Sequence, residues 1–201
     1  ASASALPKPP NNLGLVGYWS MEDGRGATST DFSGLGNTGT LSNFALSGSA
    51  SNWVSGKIGQ ALNFDGTNDY VDTNTSSAFD FGLTDFSASV WIKTTIANKR
   101  VLGNFSSSGG GRGWLMYIYS TQIQMSVYGT LISVDAIKNF TATDGSWHLL
   151  TGVFARSGND VTITVYADGA SKGTSTATVG DISSPANILI GTYLNTEAAF
   201  N

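Results

Sequence analysis

Carboxylates and a single histidine are the side chains of this sequence that could perform acid–base chemistry. Only two glutamates occur in 201 residues, Glu22 and Glu197, and they lie far apart in the sequence. Glycoside hydrolysis uses two carboxyl groups across a cleft, one as acid and one as base or nucleophile. The sequence therefore predicts that the chain is not an enzyme, and a polysaccharide-cleaving activity is the least favoured of the functions considered.

Other acidic and basic side chains have simpler structural explanations. His148 follows Trp147 in a predicted strand and has no sequence neighbour that would orient it as a base. Asp65, Asp69 and Asp72 surround a Gly-Thr-Asn turn, where aspartate is favoured because it accepts hydrogen bonds from the turn backbone. Because the chain has no cysteine and one histidine, catalytic zinc sites and Cys–His nucleophile pairs are excluded.

Aromatic side chains with amides beside them indicate a carbohydrate-binding surface. A tyrosine or tryptophan ring can stack on the apolar face of a sugar, and amides can hydrogen-bond its hydroxyl groups. The alternative is an ordinary half-exposed sheet, where these rings are common. Trp19, Trp53 and Trp147 are instead predicted to lie in the core. The candidate ligand-binding face consists of Trp91, Tyr117, Tyr119, Gln122, Gln124 and Tyr128.

The loop of residues 30–39, TDFSGLGNTG, has the composition of a site for a hard cation. Calcium takes carboxylate, amide and backbone carbonyl oxygens at six to eight positions, and a loop rich in Asp, Asn and Gly supplies them. The alternative is a turn loop whose glycines only provide backbone conformations with positive φ. Both interpretations are compatible with the sequence.

Short runs of apolar residues, or of alternating apolar and polar residues, predict that β-strands position all of these side chains. Such runs recur about every ten residues between Gly, Asn, Asp and Ser turns, and no stretch keeps helical periodicity for three turns. About a dozen predicted strands, the first from Leu15 to Met21, and no helix indicate an all-β, antiparallel sandwich of two sheets.

Two predicted strand regions can be assigned to faces from the alternation alone. A two-residue turn at Ser120 and Thr121 would fold the preceding and following runs into a hairpin. In residues 86–94, Trp91 lies on the otherwise polar face of the strand. In the hairpin, Met116, Ile118, Ile123 and Met125 would point into the core and Tyr117, Tyr119, Gln122 and Gln124 to the opposite face.

Charge and hydropathy limit the partners of the chain. The net charge is −4 and the ten Lys and Arg residues are scattered, so neither nucleic acid nor an anionic lipid surface is an expected partner. No apolar run approaches the ~20 residues of a membrane span, so no membrane insertion is expected. Residues 1–12 hold three of the four prolines and are predicted to form an extended linker or tether, followed by one sandwich domain over residues 13–201.

Six segments resemble the LamG-like family of concanavalin A-like jelly-roll domains, which occur in many secreted and surface proteins. The resemblance implies a jelly-roll sandwich and an extracellular or cell-surface location, but this fold hosts lectins, adhesion modules, enzymes and spacers alike. The segments are GLVGYWSMEDGRGATSTDFSGLGNTGTL (14–41), WVSGKIGQALNFDGTNDYVD (53–72), FSASVWIKT (86–94), DGSWHLLTGVF (144–154), VTITVYADG (161–169) and ILIGTY (188–193).

The resemblance also implies a structural calcium site in the 30–39 loop. Its ligands would be the side chain of Asp31 with carbonyls of Gly34, Gly36 or Asn37, together with an aspartate from the family's last strand, which does not occur in this sequence. If calcium binds only the folded state, Asp31→Ala should lower thermal stability only when calcium is present.

Relatives usually continue after a segment like residues 188–193 with a strand resembling G-x-I-D-E-V-R-I-Y. The sequence stops where that strand would begin, so the resemblance implies a jelly roll without its usual last strand. An unpaired edge beside the segment from Leu15 to Met21 would then be open to a strand donor: a C-terminal continuation, which is favoured, the N-terminal tail of a neighbouring copy, or an unrelated partner.

Together these features predict an extracellular, non-catalytic binding or adhesion module that recognises carbohydrate or a protein surface. The alternative is a structural subunit of a surface assembly or filament that contacts its neighbours through the tail or an open sheet edge.

Overall fold

The computed structural model describes residues 14–47, 52–74, 77–105 and 111–191, so the linker predicted for residues 1–12 lies outside the described residues. Within them the secondary structure is β-strand apart from one short 3₁₀ turn, Ser77–Phe79. The strands are β1 Thr28–Ser29, β2 Gly39–Ser42, β3 Trp53–Ser55, β4 Gln60–Leu62, β5 Tyr70–Asp72, β6 Phe86–Lys93, β7 Lys99–Gly103, β8 Gly113–Ile118, β9 Gln122–Tyr128, β10 Ser133–Asn139, β11 Trp147–Ser157, β12 Asp160–Ala167, β13 Ala170–Thr178 and β14 Leu189–Ile190.

The strands form two main antiparallel sheets and a small hairpin. One sheet has eight strands in the order β1-β2-β5-β14-β7-β8-β9-β10, and the other has four in the order β13-β12-β11-β6. Strands β3 and β4 pair only with each other. The predicted all-β jelly-roll sandwich is confirmed. No helix in the described residues has the length and apolar character needed to cross a membrane.

The hairpin of β8 and β9 has the predicted register. Met116 pairs with Met125 and Tyr117 pairs with Gln124, and the Tyr119 N–H donates to the Gln122 carbonyl at 2.8 Å, which closes the turn. The predicted inward residues are completely buried. Alternation along paired strands was therefore sufficient to assign both faces of this hairpin.

Aromatic rings and aliphatic side chains fill the space between the sheets. Phe86 of β6 stacks on Phe154 of β11 with ring centroids 4.2 Å apart, and Phe81 stacks on the other side of Phe86 at the same distance. Trp114 of β8 packs against Phe86 and Phe154 from the opposite sheet. This cluster joins the two sheets, as the core of a sandwich requires.

The sequence predicted one strand that does not form and missed three that do. Residues 15–21 form no strand; their backbone makes a single antiparallel bridge, between Trp19 and Asp31. Strands β1, β3 and β13 were not predicted, because the first two are very short and β13, ASKGTSTAT, lacks apolar alternation. Tertiary pairing with β12 holds β13 in the sheet despite its composition.

Candidate functional site

The hairpin of β8 and β9 places a row of tyrosine and glutamine side chains on the outer face of the eight-stranded sheet. Tyr117 and Gln124 are directly opposite each other, and Gln122 and Tyr128 lie at the two ends of β9 on the same face. Tyr119 extends the row just before the turn. We call these five residues the aromatic face. They point away from the core because their neighbours in sequence point into it, although Gln124 is itself buried.

Hydrogen bonds hold the aromatic face in one arrangement. The Tyr119 hydroxyl donates to Oε1 of Gln124 at 2.8 Å, and Nε2 of Gln124 donates to the Ser126 hydroxyl at 2.6 Å. The rings of Tyr117 and Tyr119 are 4.6 Å apart, and the guanidinium of Arg100 lies 5.7 Å from the Tyr117 ring. The amide of Gln124 is therefore buried beneath the rings, whereas sequence alternation had predicted an open polar position.

Tyr128 closes the other end of the aromatic face. Its ring packs edge-on against Phe105 at 4.6 Å. Burial raises the pKa of Tyr128, and the negative charge of Asp135 raises it further. The phenol therefore stays neutral at physiological pH and keeps its hydroxyl proton as a hydrogen-bond donor.

Trp91 is separated from the other five predicted residues. It lies on β6, in the four-stranded sheet, and its side chain is 42% exposed. The ammonium group of Lys57, from the hairpin of β3 and β4, lies 5.7 Å from its ring. A binding face that includes Trp91 and the five hairpin residues together is ruled out, because the outer surfaces of the two sheets of a sandwich point in opposite directions.

Four residues near the aromatic face were missed by the sequence analysis. Arg100 comes from β7 and Ser126 from β9, while Asp135 is the partner of Ser126 on β10. Phe105 lies just after β7. The register of β9 with β10 would have identified Asp135, but Arg100 follows from pairing across a bulge that the sequence does not mark.

Asp31 organises the loop predicted to bind calcium. Its carboxylate accepts hydrogen bonds from the backbone N–H groups of Tyr18, Ser33 and Asn37 at 2.8–2.9 Å, and from the Ser33 hydroxyl at 2.8 Å. Burial by itself would raise the pKa of Asp31, but these hydrogen bonds outweigh burial and the pKa is lowered. Gly36 has φ of 79°, a conformation that glycine adopts freely.

These contacts test how well the loop fits a metal ion. Both carboxylate oxygens of Asp31 already accept hydrogen bonds, and the Asn37 carbonyl accepts one from the Trp19 indole at 2.8 Å. Among the described residues no group of three or more His, Cys, Asp or Glu side chains could hold a metal ion. To bind calcium, the oxygens of Asp31 and Asn37 would have to share or give up these hydrogen bonds. The calcium site with Asp31, Gly34, Gly36 and Asn37 stays a prediction.

The acidic turn residues and the histidine also have structural roles. Asp69 accepts from the Asp65 N–H and Asp65 from the Thr67 N–H, as expected for a turn. His148 contradicts the expectation that it lacks an orienting partner, because it contacts both Asp144 and Asp168. Those partners lie on different turns. Glu197 lies outside the described residues.

A large apolar cavity lies between residues 15–22 and β6. Its volume is about 650 Å³, and it is partly open to solvent. In the described residues, β6 pairs with β11 on one side only, so its other edge faces this cavity. Trp147, predicted to be a core residue, is half-buried at the cavity wall. Other lining residues include Trp19, Phe79, Val90, Val101, Trp114 and Leu149.

Solved structures of several other proteins match this chain. The binding domain of botulinum neurotoxin serotype D matches with a TM-score of 0.54 and 16% identity, covering 81% of this chain and 40% of that one. Mouse laminin α1 domains LG4-5 match with a TM-score of 0.47 and 21% identity, covering 61% of this chain and 34% of that one. The Ruminococcus gnavus IT-sialidase CBM40 bound to α2,3 sialyllactose matches with a TM-score of 0.48 and 16% identity. This match covers 59% of this chain and 70% of that one.

These similarities concern the fold, because all three identities are low. The chain spans about a third of the laminin chain and two fifths of the toxin domain. No curated protein matches it in sequence. A family model, however, matches residues 65–201, more than half of the chain. Together with the two-sheet antiparallel fold, this match shows that the chain belongs to the Concanavalin A-like lectin/glucanases superfamily.

Proposed function

We propose that this chain is a non-catalytic module that binds carbohydrate through the aromatic face. One observation carries the proposal: Tyr117 and Tyr119 present adjacent rings above a glutamine amide that is itself held by hydrogen bonds. Rings stack on the apolar face of a sugar, and preorganised polar groups lower the entropy cost of binding its hydroxyls. Asn139 accepts a hydrogen bond from Gln122 at 3.2 Å and adds a polar group at the rim.

An extracellular location and the absence of catalysis are parts of the same proposal. Domains of this family occur in many secreted and surface proteins, which supports the location. Two of the described carboxylates serve the backbone: Glu22 accepts from the Gln60 N–H, and Asp31 accepts from three N–H groups. Groups committed in this way are poorly placed to transfer protons to a substrate.

Replacing Tyr117 by alanine is expected to weaken glycan binding about tenfold, because a central stacking ring is lost. A glycan array on the wild-type chain would identify the oligosaccharide that binds best, and calorimetry with that oligosaccharide would compare the variants. Trp91→Ala removes an exposed ring from the other sheet and is the matched control, with unchanged affinity. Absence of glycan binding, or an equal loss in both variants, would contradict the proposed site.

A second candidate function, self-association in a surface assembly, is favoured by the cavity and by the edge of β6 that no other described strand pairs with. Antiparallel strand edges are complementary to themselves, so a second copy of this chain could add a strand beside β6 about a two-fold axis. Exposed apolar side chains at the cavity rim, Ile58 and Trp91, would be covered in such an assembly. The strand donor predicted beside residues 15–21 would thus be a neighbouring copy.

Val90→Lys places a charge in the cavity wall and is expected to weaken self-association at least tenfold, because the ammonium group would be buried without a partner. Sedimentation over a range of concentrations would measure association of the wild-type chain and the variant. Thr164→Lys, in the middle of the four-stranded sheet, is the control. A wild-type chain that stays monomeric at high concentration would reject this second function.

A further inference from the structure

His148 bridges two carboxylates from different parts of the fold. Its Nδ1 lies 2.8 Å from Oδ2 of Asp168, and its Nε2 lies 3.1 Å from Oδ1 of Asp144. An ionised carboxylate can only accept hydrogen bonds, so both ring nitrogens must carry protons for both contacts to be hydrogen bonds. The geometry thus describes a positively charged imidazolium held between two anions.

The surroundings of the imidazole favour the charged form. Burial lowers the pKa of His148, but the hydrogen bonds and charges of Asp168 and Asp144 outweigh burial, and the pKa is raised. Phe140, after β10, packs edge-on against the ring at 4.9 Å, and Lys172 of β13 lies 4.9 Å from the Phe140 ring. Burial raises the pKa of Asp168, but its hydrogen bonds from His148 and the Leu149 N–H and the positive charges of His148 and Lys172 outweigh burial, so this pKa is lowered.

The two carboxylates are held with different strength. Oδ1 of Asp168 also accepts from the Leu149 N–H at 2.9 Å, which anchors Asp168 to β11. Asp144, which is about as exposed as Asp168, lies in the loop between β10 and β11, where it also accepts from the Ser146 N–H. A neutral imidazole has one N–H, so it can keep one of the two hydrogen bonds. The shorter, better anchored bond to Asp168 should persist and the bond to Asp144 should be lost.

The loop that contains Asp144 borders the aromatic face. The Thr143 hydroxyl donates to the Ser120 carbonyl at 3.0 Å. The Phe140 N–H donates to the Thr121 carbonyl, also at 3.0 Å. Ser120 and Thr121 form the turn of the hairpin that carries Tyr119. Two direct hydrogen bonds thus connect residues 140–143 to the turn at the end of the aromatic face.

We propose that His148 is a pH-dependent clamp that holds the β10–β11 loop against the hairpin turn, so that the aromatic face is best ordered when the imidazole is charged. The clamp is complete when the pH is below 6.5, the ordinary pKa of histidine. It is lost as the pH rises through the higher pKa that His148 has in the folded state. Its effect on ligand affinity rests on the proposed carbohydrate function, whereas the ordering of the loop does not.

The single histidine of the chain makes the clamp directly measurable by NMR. The imidazole of the wild-type chain should titrate above 6.5, and Asp144→Asn should lower its pKa. Exchange of the Gly145 amide, which donates to the Thr94 carbonyl, reports on the loop. After division by the intrinsic rate, this exchange should accelerate about two- to fivefold as the histidine loses its charge, the range expected for one exposed ion pair.

His148→Gln should abolish the pH dependence of Gly145 exchange, because glutamine does not titrate in this range. A histidine that titrates at or below 6.5, or normalised exchange that is independent of pH in the wild-type chain, would overturn the clamp. Affinity for the best oligosaccharide, measured below and above the titration, should fall in the wild-type chain and stay constant in His148→Gln. If no glycan binds at any pH, the carbohydrate function fails while the exchange data still decide the clamp.

Discussion

Replacing Asp31 by alanine is expected to lower the free energy of unfolding by about 3–5 kcal/mol, with calcium or with chelator. The carboxylate accepts hydrogen bonds from the N–H groups of Tyr18, Ser33 and Asn37. Alanine would leave these donors without their partner, and each unsatisfied buried donor costs about 1–3 kcal/mol. Urea unfolding in both solutions measures the loss.

The structural role of Asp31 and the predicted calcium site have different consequences. Asp65→Ala, at an exposed turn carboxylate, is the control and should cost less than about 1 kcal/mol. Asp31→Asn keeps one accepting oxygen, so its free energy of unfolding should lie between those of the wild-type chain and Asp31→Ala. If Asp31→Ala destabilises the chain only when calcium is present, the metal site is correct and the structural role is wrong.

The stabilisation by Asp31 also depends on pH in a definite direction. Since hydrogen bonds lower its pKa despite burial, the ionised form stabilises the folded state. This contribution is present when the pH is above 3.8, the ordinary pKa of aspartate. It is lost as the pH falls through the lower pKa that Asp31 has in the folded state. In acid, the difference in stability between wild type and Asp31→Ala should therefore shrink.

Phe154→Ala is expected to lower the free energy of unfolding by about 3–5 kcal/mol, because it opens a cavity at the centre of the sandwich. Phe154 is completely buried. It stacks on Phe86 at 4.2 Å and contacts Trp114 of the opposite sheet. Its loss removes contacts that join the two sheets. Chemical unfolding followed by tryptophan fluorescence would measure the effect.

Val153→Ala provides a matched control for Phe154→Ala on the same strand. Val153 precedes Phe154 on β11, but it lies on the outer face opposite Ser87 and Thr164. Val153→Ala should therefore lower the free energy of unfolding by less than about 1 kcal/mol. Phe154→Leu keeps part of the buried volume and should fold even if the alanine variant does not, with a smaller loss. Equal losses at positions 153 and 154 would contradict the described packing.

The sequence alone was sufficient for the sandwich class and for the faces of individual strands. Side chains alternate with a period of two along a strand, so Met116 and Tyr117 must face opposite sides whatever the rest of the chain does. The two-residue turn at Ser120 and Thr121 then determined the register with β9. Four of the five members of the aromatic face could be assigned to one face in this way, and Tyr128 follows by alternation along β9.

Only the tertiary structure decided which distant residues meet. Trp91 has the same alternation signal as Tyr117, yet the two lie on different sheets, because strand order is not encoded in alternation. Asp31 meets the backbone of Tyr18, and His148 meets Asp168, across separations of 13 and 20 residues. Such contacts depend on how the sheets pack and where loops cross. Local sequence specifies the direction of a side chain on its strand, whereas its partner is set by the long-range packing that lowers the free energy of the whole sandwich.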